Sequence, residues 1–136
     1  MRLLHTADWH LGARLVERDR LPEQAAFLDW LVGALKEHAI DALLVSGDIF
    51  DAANPSQEAV ALYYDFVRRV SELKHVTTII TGGNHDSAAL LNAPRDLLRF
   101  FNVHVFGSAT DDLISLPGAV IAPVPYLREQ IGRAHV

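Results

Sequence analysis

Short apolar runs of strand length alternate along this chain with longer stretches of helical period, and that alternation restricts it to a few architectures. Each of the first three runs ends abruptly in a polar cluster. Arg2–Leu4 leads into His5-Thr6-Ala7-Asp8-Trp9-His10, Ala42–Val45 into Ser46-Gly47-Asp48-Ile49-Phe50-Asp51, and Val76–Ile80 into Thr81-Gly82-Gly83-Asn84-His85-Asp86. Residues 2–7 read as a strand and 11–21 as polar and irregular. Pro22 suits a first helical turn, and Phe27, Leu28, Leu31 and Leu35 give Glu23–His38 a helical stripe, with Trp30 read as core packing beside it. Ile40–Val45 is nearly continuous apolar sequence, as for a strand covered on both faces. Ser56 is placed to cap a helix reaching about Leu73, and Val76–Thr81 is the next strand. Ala88–Phe101 reads as helix broken at Pro94. Val103–Phe106, Leu113–Leu116 and Ala119–Pro123 read as later strands, with a turn at Gly118. The resulting β-α-β-α-β-α-β order predicts an α/β fold with a mostly parallel sheet and right-handed crossovers. All three polar clusters then stand at carboxyl ends of strands, on the sheet edge where such folds bind ligands.

Composition narrows the chemistry. With 136 residues the chain is sized for one core, and without cysteine it has neither disulfides nor thiolate ligands. No apolar run reaches membrane-spanning length, and Arg2-Leu3-Leu4 leads straight into polar residues where a signal peptide would need an apolar core. A cytoplasmic location is therefore expected. The net charge of −5 argues against nucleic-acid binding by bulk electrostatics, although metal could neutralise local carboxylates.

Asp8, His10, Asp48, Asp51, Asn84, His85 and Asp86 would share the ligand edge. Carboxylate, imidazole and amide without sulfur suit manganese, iron, zinc or magnesium. Asp8 and His10 are two apart, which an extended backbone places on one side. Asp48 could bridge a pair of metals about 3.5–4 Å apart, an arrangement that hydrolyses phosphate esters. His85 could protonate the leaving oxygen or stabilise the phosphoryl group. Asp51 reads as a loop hydrogen-bonding group behind the ligands, and Asp86 as one that orients a neighbour from behind. Any one cluster alone is better explained by turn chemistry; three at three strand ends point to metal. The remaining histidines read as structural or solvated: His5 hydrogen-bonded in its strand, His38 and His75 near element ends, His104 on the polar face of its strand, and His135 frayed.

Asp8-Trp9-His10, Gly47-Asp48-Ile49-Phe50-Asp51 and Gly83-Asn84-His85-Asp86 resemble the D-x-H, G-D-x-x-D and G-N-H-D/E motifs of the calcineurin-like metallophosphoesterases. The fuller strings His5–Gly12, Gly47–Ser56 and Gly83–Ser87 are similar to the SbcD-like nuclease branch, which serves double-strand-break repair. The similarity covers about residues 1–130, including Arg95-Asp96 and Pro123–Arg128. It implies an α/β/β/α sandwich, with Asp8 and His10 on one metal, Asp48 bridging, Asn84 on the second and His85 acting on phosphate. It also implies two divalent ions, usually manganese, and DNA cleaved by exonuclease and by hairpin or single-strand endonuclease action. The implied partner is an SbcC-like ATPase with long coiled coils. A homodimer through helices 56–70 and 88–101 is implied too, for which Leu62, Tyr63, Phe66, Leu90, Leu91, Leu97 and Leu98 are candidates, at least half of them belonging to the core.

That family completes its metal site with a later histidine and a G-H-x-H motif, and this chain contains neither. Residues 1–136 therefore read as the N-terminal portion of the catalytic domain, inactive alone. Two other readings compete: a different metallophosphoesterase, such as a phosphatase or cyclic-nucleotide phosphodiesterase, or a non-catalytic dimerising piece.

Overall fold

The computed structural model describes residues 1–128, so Arg133 and His135 lie outside the described residues. The chain runs β1 (Leu3–Ala7), β2 (Arg14–Leu15), β3 (Arg18–Asp19), α1 (Leu21–Glu37), β4 (Ala42–Ser46), α2 (Gln57–Ser71), β5 (Thr77–Thr81), α3 (Ala88–Asn92), α4 (Arg95–Arg99), β6 (Val103–Phe106), β7 (Ile114–Leu116) and β8 (Ala119–Ile121). Strands β1, β4, β5 and β6 form one parallel sheet in that order. β7 and β8 pair as an antiparallel hairpin across Gly118, whose φ is +96°.

Side chains alternate across each strand, and the faces differ. Leu43 and Val45, Thr78 and Ile80, and Val103 and Val105 are buried on one face. Their aliphatic members join Leu28, Leu31 and Leu35 of α1 and Tyr63, Phe66, Val67 and Val70 of α2 in one core. Burial of these side chains, at roughly 1.5–3 kcal/mol each, is the main term holding α1 and α2 to the sheet. The other face is more open: Leu3 and His5 are exposed, Leu44 is half-buried and Ser46 is exposed, while Ala42 and Ile79 are covered. Ile40–Val45 is thus covered except at Asp41 and Leu44, which are half-buried.

Local signals fix the ends. Pro22 sits in the first turn of α1. The Ser56 side chain accepts from Ala59 N and starts α2, and that of Ser87 accepts from Leu90 N and starts α3. Pro94 separates α3 from α4, since a proline inside the helix would remove a bond and clash with the preceding turn.

The irregularity of residues 11–21, the core role of Trp30 and the place of Phe27 in the buried stripe are corrected. Residues 11–21 are not wholly irregular, because β2 and β3 pair there as a two-residue hairpin. Trp30 is 63% exposed, and Phe27 stands at the margin, 37% exposed, its ring stacked on Trp30 at 6.0 Å. The helix needs only the Leu28–Leu31–Leu35 stripe inside, and Trp30 lies just past its edge. Of the dimer candidates, Tyr63, Phe66, Leu91 and Leu98 are buried, Leu62 and Leu90 pack at the core's margin, and Leu97 is exposed.

Candidate metal centre

The polar loops after β1, β4 and β5 meet because parallel strands end together. Backbone bonds continue past the strands: Asp8 N donates to Gly47 O at 3.0 Å, His10 N to Asp48 O at 2.9 Å, Leu11 N to Ile49 O at 2.9 Å, and Asp51 N back to Leu11 O at 3.1 Å. Gly47 N donates to Thr81 O at 2.9 Å, tying the second loop to the third strand. The chain must turn sharply here. Asp8, His10 and Asp48 all have positive φ, at 57°, 49° and 48°. Such conformations cost on the order of 1–3 kcal/mol each in non-glycine residues and gather at functional sites. Gly83 has no room for a side chain, since a Cβ there would stand 2.3 Å from Asp48 N and Oδ1.

These turns aim ligand atoms at a common point. One donor atom each from Asp8, His10 and Asp48 lie within 4.8 Å of one another, and so do donors from His10, Asp51 and His85. His10 Nε2 is 3.7 Å from Asp48 Oδ2. His10 Nδ1 is 3.2 Å from Asp51 Oδ1 but off a hydrogen-bond axis, and this buried nitrogen has no other partner. The Asn84 amide stands against the same Asp48 carboxylate. With its nitrogen inward it donates to Oδ2 at 3.1 Å and Oδ1 at 3.2 Å; turned the other way, oxygen faces oxygen, which only a shared cation satisfies. Asp48 is 9% exposed, and its Oδ1 also accepts from His85 N at 2.9 Å. A buried carboxylate with the Asn84 amide against it, an imidazole nitrogen 3.7 Å away and no sulfur fit divalent cations. Asp8, His10, Asp48 and Asn84 are the residues that would hold them.

Around this point the remaining residues have distinct surroundings. His85 Nδ1 donates to the Asp51 carbonyl at 2.8 Å. A carbonyl only accepts, so Nδ1 keeps its hydrogen and Nε2 is the nitrogen that titrates. That bond to Asp51, and then the carboxylates of Asp48, Asp51 and Asp86, push the His85 pKa up, against a lowering by desolvation. Asp86, 6% exposed, accepts from Ile49 N at 3.1 Å, Phe50 N at 2.9 Å and Gly83 N at 2.8 Å. It faces backbone amides and braces the two loops from behind. Asp51 meets His10 through its carboxylate and His85 through its carbonyl.

The other histidines stand apart. His5 Nε2 hydrogen-bonds Ser46 Oγ at 2.9 Å, and His38 and His75 are exposed. His104 is half-buried on the face opposite Val103 and Val105, and it donates to Asn102 Oδ1 at 3.1 Å. Burial, followed by the nearby Arg99, lowers its pKa. One residue escaped the sequence reading. Gln24 of α1 donates from Nε2 to His10 O at 2.9 Å, while its Oε1 accepts from Gly12 N at 3.1 Å. Its amide clamps the left-handed His10 turn from the start of α1. Only its place in the first turns of α1, on the side facing the loop, could have marked it.

Comparison with known proteins agrees with this geometry. The calcineurin-like phosphoesterase family profile matches residues 1–133. The SbcD component of the nuclease SbcCD from Escherichia coli (strain K12) is 42% identical over 135 residues, covering 94% of this chain and 33% of the relative. Its counterpart in Bacillus subtilis (strain 168) is 40% identical over 116 residues, covering 85% and 30%. The counterpart in Rhodobacter capsulatus is 46% identical over 112 residues, covering 79% and 27%. The chain spans about a third of the length of these curated relatives. With the three motifs folded onto one sheet edge and the profile spanning nearly all of its residues, the chain belongs to the calcineurin-like phosphoesterase family.

Proposed function

We propose that this chain is the N-terminal portion of a metal-dependent DNA nuclease domain that hydrolyses phosphodiester bonds in double-strand-break repair. The observation that carries this reading is the convergence of Asp8, His10 and Asp48, with Asn84 against the same carboxylate, in a chain similar to nuclease subunits over most of its residues. Asp8 and His10 would hold one cation and Asn84 a second, with the Asp48 carboxylate serving both. Manganese is the ion proposed, with magnesium, iron or zinc as alternatives. When bound, the pair supplies Lewis-acid stabilisation of the phosphate and activates the attacking water. The chain's own residues then position and move protons. His85, held through Nδ1 by the Asp51 carbonyl, presents Nε2 to the leaving oxygen and protonates it. Asp86 keeps the Gly47–Phe50 and Gly83–Asn84 backbones in register during turnover.

The same reading assigns DNA as substrate, cut by exonuclease and by hairpin or single-strand endonuclease action, an SbcC-like ATPase as partner, and the cytoplasm as location. No helix among the described residues is long and apolar enough to cross a membrane. Homodimerisation through helices 56–70 and 88–101 is supported by a groove lined by Tyr64, Val67, Leu98 and Phe101, with Leu97 and Phe100 exposed nearby. That surface also favours a second reading, in which the 136-residue piece alone serves as a dimerising unit.

A manganese-dependent assay on hairpin DNA tests the proposal. Residues 1–136 alone should show little or no turnover. In the longer gene product Asp48→Asn should lower activity more than about tenfold, or ~1.4 kcal/mol of barrier. A smaller fall removes the bridging role, and preference for a small phosphomonoester over DNA would make the protein a phosphatase instead.

A further inference from the structure

Beside the metal centre, on the α1 side, one cavity of about 340 Å³ runs from Asp8 and His10 out to Phe27. At ~30 Å³ per water it has room for about ten waters, and its walls are mixed. Trp9 and Phe27 meet edge to face at 6.3 Å and form its aromatic side. Phe27 stacks on the exposed Trp30, which carries the aromatic surface outward. Gln24 is fixed by its bonds to His10 and Gly12 and forms a rigid polar wall. At the mouth Arg20 Nε donates to Glu23 Oε2 at 3.3 Å, an exposed pair weak enough to exchange for other partners.

Resting on the phosphodiesterase reading above, we propose that this cavity is a base-stacking subsite. It takes one unpaired nucleobase, that of the nucleotide adjoining the phosphate held at Asp8 and His10. A phosphate at the inner end places its own nucleoside within reach of the aromatic wall, because the space between them is continuous. An aromatic face flanked by a guanidinium and a carboxylate accepts a heterocycle carrying both carbonyl and amine edges, and stacking on it tolerates any base. Paired bases have both faces covered by their neighbours in the duplex, so only a frayed end or single strand offers a free face. The exposure of Phe27 and Trp30 at the edge of the α1 stripe then becomes part of substrate choice.

The test compares two short phosphorothioate strands of equal length, one of thymidine and one abasic, titrated against the chain in manganese. Of its two tryptophans, Trp9 lines this wall and Trp30 stacks on Phe27, so their emission reports a base seated there. The thymidine strand should bind about tenfold tighter, the order expected of one stacked base, and should quench that emission. Phe27→Leu, which keeps apolar volume but removes the ring, should erase the difference while leaving abasic binding intact. Equal affinity of the wild-type chain for both strands overturns the subsite alone, as does a base preference that survives Phe27→Leu. Failure of both strands to bind overturns the phosphodiester reading and the subsite with it.

Discussion

A single buried carboxylate, Asp86, accepts three backbone amides from two loops. Hydrogen bonds to a charged acceptor contribute about 1.5–3 kcal/mol each, and losing the acceptor leaves the amides buried and unpaired. Asp86→Ala should therefore cost about 3 kcal/mol or more in urea unfolding; a loss under ~1 kcal/mol would show that the loops hold without it. His104 gives a prediction of a different kind. Its pKa is lowered from 6.5 by burial and then by Arg99, so the unfolded chain takes up that proton before the folded one does. Its contribution is complete above pH 6.5 and is lost as pH falls through the lowered folded value. The fall in stability on mild acidification should be smaller in His104→Gln, measured as urea midpoints across that range; an identical fall in both proteins contradicts it. At this scale the sequence was legible wherever chemistry shows in consecutive letters: Asp8, His10, Asp48, Asn84 and His85 all reach one sheet edge. It was silent on Gln24, whose contacts are made fourteen and twelve residues back along the chain. It misled on Trp30, because a helical period locates the buried stripe better than the width of that stripe.

At the scale of elements, period located the helices of the described residues, and Pro22, Ser56 and Pro94 marked starts and a break, while the Ser87 cap went unread. Ser56 and Ser87 start α2 and α3 with their own side chains, and Pro94 divides the helical stretch after them. The β2–β3 hairpin went unread because each strand is two residues long and lacks apolar alternation. Thr78 of β5 is the misfit among the central strands. It is fully buried on the helix-facing side, and its hydroxyl has no hydrogen-bond partner. Burying an unsatisfied hydroxyl is unfavourable by roughly 1–3 kcal/mol in protein mutational data. Thr78→Val should thus raise stability by about 1 kcal/mol, read as a higher denaturation midpoint with an unchanged slope. A loss of that size would mean that the hydroxyl is satisfied in solution.

For the whole molecule, the parallel order β1-β4-β5-β6 is what turns three separated strings into one site. Three loops leave the same edge, and backbone bonds between them carry the register past the strands. That much followed from the alternation of apolar runs with helical stretches. The openness of the sheet's second face did not, since a nearly continuous apolar strand reads the same whether one face or both are covered. On this reading Asp8, His10, Asp48 and Asn84 together make up the cation-binding centre on this edge. Calorimetric titration with manganese tests it most directly, comparing the wild-type chain with Asp8→Asn, His10→Gln and Asp48→Asn and with the exposed control Asp111→Asn. Each site variant should weaken binding by about tenfold or more, ~1.4 kcal/mol, while the control binds as wild type does. Manganese binding unchanged by all three site substitutions would mean that these residues hold no cation.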